Sequence, residues 1–237
     1  KSGAPSRTPK VVKTPAPSKF PALAAFKLAV SRNSPFSHSM KKVLVTGGTG
    51  VLGGALVAHL CARNFAVTAT FCRDFERAQR LESATNCAIF RCDATREAEV
   101  ESLFENVAPD AVIHCVGANF DAILPRISAQ NFAKTLEINA LSAFLATREA
   151  LRKLPDGGQI LLVSSRVARV GMVGQSAYGA GKGAVLGLMK TAALEGAPRK
   201  IAVNALLPGF IESDLSREIS EEIRQKRQSE NLLRDPN

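Results

Sequence analysis

Short apolar runs recur along the chain, each closed by Gly, Pro, Asp or Ser and followed by a longer segment of mixed polarity. The runs at Val43–Val45, Ala66–Phe71, Cys87–Arg91, Asp110–Val116, Ile160–Val163 and Ile201–Leu206 predict six buried strands, since they are too short for helices and lack polar alternation. Between them, Ala55–Arg63, Glu76–Glu82, a stretch from near Glu97, Ser128–Leu154 and Ser176 to about Glu195 predict helices. In Ser128–Leu154 the residues Phe132, Leu136, Leu141, Phe144 and Leu145 fall near helical spacing. Asn139 interrupts that stripe, and an Asn inside a helix can disturb the hydrogen-bond ladder. A charged stretch, Arg217 to Arg234, predicts a last helix capped by Ser213 or Asp214. No internal repeat is present. Strands alternating with helices predict one α/β domain with a doubly wound parallel sheet in three layers, α/β/α. Ligands of such sheets bind beyond the C-terminal strand ends.

Composition changes this picture at the N-terminus. The formal charge of the 237-residue chain is +10, which raises the question of nucleic-acid binding. Residues 1–39 hold seven Lys or Arg and no acid, and without them 24 basic residues face 21 acidic ones, a net +3. The excess therefore sits in a Pro/Ser-rich segment that cannot bury a core. Few aromatics accompany its charges, so base stacking is not indicated. Three readings stand for 1–39: a flexible leader, an organelle transit peptide, or sequence upstream of a start at Met40. The last is favoured, because Met40-Lys41-Lys42 leads directly into the first strand. The domain is then residues 40–237. No window of eighteen apolar residues occurs, so no membrane span is expected. Five cysteines without a CxxC pair suit reduced thiols in the cytoplasm, or in a mitochondrial or plastid matrix if 1–39 is a transit peptide. The three histidines are scattered, so no metal site is expected.

The first strand runs into Thr46-Gly-Gly-Thr-Gly-Val-Leu-Gly53 and then a helix. Strand, glycine turn and helix are the context of a dinucleotide-binding turn, in which backbone N–H groups meet a pyrophosphate. Gly47, Gly48, Thr49, Gly50 and Leu52 are its candidate contacts, and the sheet is expected to be Rossmann-like. The second strand ends Phe71-Cys-Arg73, with no acid before Asp74. An acid there would suit a ribose 2′-hydroxyl, whereas Arg73 suits a 2′-phosphate, so NADP is favoured over NAD. Asp93, followed by Ala94, is placed to cap the helix near Glu97, to accept from an adenine amino group, or to do both. Gly117 closes the fourth strand and would let a cofactor lie against the backbone. His114 inside that strand reads as a packed core residue.

Tyr178, the sole tyrosine, and Lys182 lie four residues apart on a predicted helix and so share one face. A phenol is a poor acid or base near neutrality unless tuned, and an adjacent ammonium is expected to lower its pKa. Ser165 leaves the preceding strand, where its hydroxyl would bind the oxygen that Tyr178 protonates. An acid, its tuner and a polariser suit proton transfer at a carbonyl or alcohol oxygen.

With these residues in view, the chain resembles the short-chain dehydrogenase/reductase family from about Met40 to Asp214. Ser165 precedes Tyr178 by thirteen residues, Tyr178-Gly-Ala-Gly-Lys182 matches the family signature, and Val203-Asn204 with Pro208-Gly209-Phe210-Ile211 matches a later cofactor motif. GQSAYGAGKGAVLGLMKTAALE and NALLPGFIESDL look similar to 3-oxoacyl-acyl-carrier-protein reductases and related carbonyl reductases. The resemblance implies that Tyr178 is the general acid and that Lys182 lowers its pKa and holds the nicotinamide ribose. It implies that Ser165 orients the carbonyl, that Asn139 holds a proton-relay water, and that Pro208, Gly209 and Ile211 face the nicotinamide. Two departures are visible. The second glycine of the turn stands at Gly50, one position before the usual place, and His114-Cys-Val-Gly117 replaces the frequent Asn-Asn-Ala-Gly. The chain is also expected to stop short of the family's last strand, leaving open the homo-oligomer that relatives form.

These readings lead to an NADPH-dependent oxidoreductase that reduces a ketone, with a 3-oxoacyl thioester as the leading substrate and acyl carrier protein as a candidate partner. Arg126, Arg152, Lys153, Arg166, Arg169 and Arg199 are the cations expected to meet an acidic carrier beside the cleft. The alternatives are a general carbonyl or alcohol dehydrogenase and a non-catalytic nucleotide-binding regulator.

Overall fold

Six parallel strands pair in the order β3-β2-β1-β4-β5-β6 in the computed structural model, which describes residues 41–211 and residue 225. The strands are β1 (Lys42–Thr46), β2 (Ala66–Phe71), β3 (Ala88–Arg91), β4 (Ala111–His114), β5 (Gln159–Val163) and β6 (Ala202–Leu206). Helices α1 (Val51–Cys61), α2 (Phe75–Thr85), α3 (Glu97–Val107), α4 (Ala129–Leu136), α5 (Ser142–Lys153), the short α6 (Val167–Val170) and α7 (Ser176–Gly196) connect them. The segment 1–39 and the helix expected over Arg217–Arg234 lie outside the described residues.

Side-chain alternation along the strands divides the core into two layers. Leu44, Val112, Leu162 and Val203 point to one face, where Val100, Leu103 and Phe104 of α3, Ala143 and Ala150 of α5 and Val185 of α7 cover them. Val43, Val45, Val67, Ala69 and Ile113 point to the other, against Leu56, Val57 and Leu60 of α1. Both faces are covered, which is why the strands read as unbroken apolar runs. The sheet order reverses between β1 and β4, so the connections leaving their paired C-terminal ends run opposite ways and open a crevice.

The single helix expected over Ser128–Leu154 is two helices joined by a π-helical turn, Glu137–Leu141. Asn139 lies inside that turn, with its side-chain amide donating to the Thr135 carbonyl at 2.8 Å and the Ala118 carbonyl at 2.7 Å. The side chain thus occupies an acceptor of the helix and ties it to the loop after β4. Wide turns of this kind are concentrated at functional sites. Helix α1 begins at Val51, four residues before its expected start. Gly53 and Gly54 hide its first turn from propensity arguments.

His114 is fully buried, as a core residue should be. Its Nδ1 lies 2.8 Å from the Thr46 hydroxyl and its Nε2 3.1 Å from Ser142 Oγ. Ser142 donates its own proton to the Ile138 carbonyl. It therefore accepts from Nε2–H, and Thr46 donates to Nδ1, which fixes the neutral tautomer. Burial pushes the imidazole pKa down to about 3. Between the ordinary histidine value of ~6.5 and that level the unfolded chain binds a proton that the folded chain does not. Stability from this residue is complete above the upper bound and falls as pH drops through the window. Denaturant titrations at stepped pH should show a shallower acid loss in His114→Gln than in the wild type; equal slopes would contradict the assignment.

Candidate active site

A cleft of about 330 Å³ opens at the C-terminal strand edge. Four segments wall it: Gly50–Gly53 from the turn after β1, Cys115, Gly117 and Asn119 after β4, Val163–Val167 at the end of β5, and Pro208–Ile211 after β6. Met172, Gln175, Tyr178 and Lys182, from the approach to α7 and its first turns, complete the lining. Residues from four strand ends meet here because every strand of a parallel sheet points the same way.

Helix α7 carries the reactive pair, and its register is set from beneath. Ser164 Oγ donates to the Lys182 carbonyl at 2.8 Å, while Ser164 N–H donates to the Leu206 carbonyl at 2.8 Å. The β5 end, β6 and α7 are thereby locked together. Lys182 is buried, and its Nζ donates to the Val116 carbonyl at 3.1 Å and the Val163 carbonyl at 3.0 Å. Two of its three donors are so used. Burial pulls its pKa down to about 8, which leaves it mostly charged at neutral pH.

Tyr178 is hydrogen-bonded to the Ser165 side chain, and Ser165 Oγ also accepts from Val167 N–H at 3.2 Å. Burial pushes the Tyr178 phenol up, the Ser165 hydrogen bond opposes this, and the Asp121 carboxylate adds to the rise. The net direction is upward, opposite to the lowering expected from Lys182. The reason is burial, which outweighs the Ser165 bond, while the Lys182 Nζ stands 5.9 Å from the ring centroid and does not reverse it.

Asn139 lies just behind the cleft wall. Its Oδ1 is buried without a hydrogen-bond partner among the described residues. A Cβ placed on Gly117 would stand 3.0 Å from that oxygen and 3.1 Å from Lys182 Nζ. Glycine here keeps open the space between the two groups, and an acceptor left bare in such a place is suited to a water or a ligand donor.

The structure brings Gly50, Leu52, Gly117, Ser165, Tyr178, Lys182, Pro208, Gly209 and Ile211 to this cleft. Gly47 and Gly48 form the turn beneath it, where Gly47 N–H donates to Thr70 Oγ1 at 3.1 Å, and Thr49 follows in the same turn. Arg73, exposed just past β2, and Asp93 with the buried Ala94 past β3 lie along the same edge but outside the cleft lining. Asp93 does not cap α3, whose N-cap is Arg96 without a side-chain bond. Its Oδ1 instead accepts from Thr95 N–H at 3.0 Å and Thr95 Oγ1 at 2.7 Å. Burial pushes the Asp93 carboxyl up, but the Thr95 bonds, with Arg96 and Lys134, outweigh it and hold it below its usual range.

Sequence reasoning missed Asp121 and Gln175. Gln175 Nε2 donates to Asp121 Oδ2 at 3.2 Å, and Ala122 bridges to Gln175 as an isolated parallel pair. The position of Gln175 just before Tyr178 was a usable signal; nothing local marked Asp121. The expected cation cluster is also divided. Arg152 pairs with Glu149 at 2.9 Å, and Arg199 pairs with Asp156 at 2.9 Å and donates to the Leu151 and Leu154 carbonyls. Both lie where α5 and α7 return to the N-terminal strand ends, the edge opposite the cleft. Arg126, Arg166 and Arg169 remain on the cleft edge, with Arg166 in its lining. Among the described residues no group of three or more His, Cys, Asp or Glu is placed to hold a metal ion, and no helix is long and apolar enough to cross a membrane.

The short chain dehydrogenase family model matches residues 41–224. A mouse (Mus musculus) 3-oxoacyl-[acyl-carrier-protein] reductase is 34% identical over 190 residues, 77% of this chain and 80% of the mouse protein. The corresponding FabG reductase of Aquifex aeolicus is 33% identical over 199 residues, covering 78% of this chain and 80% of its own. Among solved structures, BdcA in complex with NADPH superposes with a TM-score of 0.73 at 26% identity, over 78% of this chain and 77% of that one. A short chain dehydrogenase from Burkholderia cenocepacia in complex with NADP gives 0.74 at 28% identity, over 79% and 81%. Fold, motif spacing and relatives agree: the chain belongs to the short-chain dehydrogenase/reductase family and is an NAD(P)-dependent oxidoreductase, similar to 3-oxoacyl-acyl-carrier-protein reductases.

Proposed function

We propose that the chain reduces a 3-oxoacyl thioester with NADPH. The carrying observation is the half-buried Tyr178 phenol, hydrogen-bonded to Ser165 in a cleft that also holds the Lys182 ammonium. A phenol held above its ordinary pKa carries its proton at neutral pH, the state that reduction requires of the donor, and the Lys182 ammonium would offset its weaker acidity as the proton leaves.

The cleft suits the nicotinamide end of a dinucleotide, and the glycine turn and the ends of β2 and β3 lie along the same edge for the rest. The space above Gly117 is free of side chain, and Asn139 Oδ1 lies bare behind it. Lys182, Pro208, Gly209 and Ile211 would hold the nicotinamide end, and Gly47, Gly48, Thr49, Gly50 and Leu52 the pyrophosphate. Asp93 and Ala94 would meet the adenine and Arg73 the 2′-phosphate. When bound, the cofactor supplies hydride to the carbonyl carbon. Tyr178 gives its proton to the carbonyl oxygen, which the Ser165 hydroxyl holds in place. The Lys182 ammonium stabilises the phenolate that remains, and Asn139 holds the water that returns a proton.

NADPH oxidation measured on acetoacetyl thioesters, simple ketones and quinones tests the reading. Thioester preference supports it. Equal rates on simple ketones favour a general carbonyl reductase, and tight cofactor binding with no turnover favours a regulator. Two further expectations attach to the rim. Arg73→Asp should weaken NADPH and favour NADH, read as the ratio of the two kcat/KM values; an unmoved ratio makes Arg73 a turn residue only. For an acidic carrier protein, charge reversal at Arg126 and Arg169 should raise KM for the carrier-linked substrate and spare the small thioester, with the difference fading in salt. Equal effects on both substrates would remove the carrier.

A further inference from the structure

We propose that Asp121 and Gln175 form a latch that joins the loop after β4 to the start of α7 and fixes a carboxylate beside Tyr178, making both positioning residues for proton transfer.

The latch has two fastenings. Gln175 Nε2 donates to Asp121 Oδ2 at 3.2 Å, and Ala122 N–H donates to the Gly174 carbonyl at 2.9 Å, the bond that pairs Ala122 with Gln175 as a β-bridge. Gln175 is buried, although its residue type usually lies outside. Its own carbonyl accepts from Gly179 N–H at 2.8 Å, so the residue that holds the loop also begins the helix carrying Tyr178. Segments 53 residues apart in sequence, Ala122 and Gln175, are thus held in one register.

The charge matters because of what else faces the phenol. On α7 there is Lys182, already held by two carbonyls. The end of β4 offers the Cys115 thiol, pushed up to about 12 by burial and hence neutral. The β5–α7 connection brings Ser165, Arg166 and Arg169, and the described segment after β6 brings no charged side chain. Lys134 and Glu137, on the helix packed against α7, neutralise each other at 2.8 Å. Among the described residues Asp121, itself exposed, is the carboxylate whose charge favours the protonated phenol. The latch therefore keeps the proton on the phenol to higher pH. It rests on the reading of Tyr178 as the proton donor, but it can be measured apart from that reading.

Tyr178 is the sole tyrosine and the chain has no tryptophan. Near-ultraviolet phenolate absorbance of the full chain therefore titrates this one residue without any turnover. Asp121→Asn keeps the shape and one acceptor but removes the charge; its phenolate midpoint should move to lower pH, and Asp121→Glu should restore it toward the wild type. Gln175→Leu, which unfastens the carboxylate, should move the midpoint in the same direction and raise KM. The alkaline limb of kcat/KM for ketone reduction should follow the midpoint, because only the protonated phenol donates. Unchanged midpoints in Asp121→Asn and Gln175→Leu overturn the latch, as does a uniform loss of activity at every pH with lowered Tm. A shifted midpoint without a shifted kinetic limb upholds the latch and instead sinks Tyr178 as the acid.

Discussion

Tyr178→Phe is expected to lose ketone reduction by ~10² to 10⁴-fold, the range typical of a removed general acid, while binding cofactor as the wild type does. The substitution keeps the ring that fills the cleft wall and removes only the hydroxyl. Ser165 would keep its bond from Val167 N–H and Lys182 its two carbonyls, so the surrounding geometry has no cause to collapse. Single-turnover rates with saturating NADPH, beside cofactor fluorescence for binding, separate the two effects. A rate near wild type would mean that the proton comes from elsewhere. Loss of binding along with rate would mean that the phenol is part of the cofactor site rather than an acid acting beside it.

Gly53→Ala is expected to cost both stability and cofactor affinity, although alanine is the better helix former. A Cβ on Gly53 would lie 2.3 Å from the Gly47 carbonyl oxygen and 3.0 Å from Gly48 Cα. Both obstacles are backbone, so no side chain can rotate away, and helix α1 must lift off the turn. Overpacking of this kind costs about 1–3 kcal/mol, against a helix-propensity gain of about 1 kcal/mol. The clash wins. Its neighbour reverses the sign: a Cβ on Gly54 meets the Gly48 carbonyl at 3.5 Å, an ordinary contact. Gly54→Ala should therefore keep or raise Tm, while Gly53→Ala lowers it and weakens NADPH binding. Equal behaviour of the two variants would show that the turn and α1 are not in close register.

What the sequence made legible follows from which signals are local. The apolar runs gave all six strands, because strands covered on both faces are short and unbroken. Ser165, Tyr178, Lys182 and the glycine turn converge on one edge because strand-end motifs of a parallel sheet must. The two-part helix around Asn139 was visible only as an oddity, since the donation to the Ala118 carbonyl is a contact with another loop. The direction of the Tyr178 pKa was misjudged because it depends on burial and on Asp121, neither of which spacing reveals. Arg152 and Arg199 were placed near the cleft by their positions at helix ends; chain topology sends those ends to the other edge, where they bind carbonyls and carboxylates.

The π-helical turn at Glu137–Leu141 also sets a rule about chain length. One extra residue is taken up in this wide turn, so α4 and α5 keep roughly the phase they would have in an uninterrupted helix. Ala143, Leu145, Ala146 and Ala150 therefore still face the core, while the turn frees carbonyls for the Asn139 amide. One residue removed would let the two helices fuse with α5 still seated on the sheet, and Asn139 would lose the wide turn from which its amide reaches the Ala118 carbonyl. A single deletion there would thus separate the site from the core: the packing would survive it and the site would not.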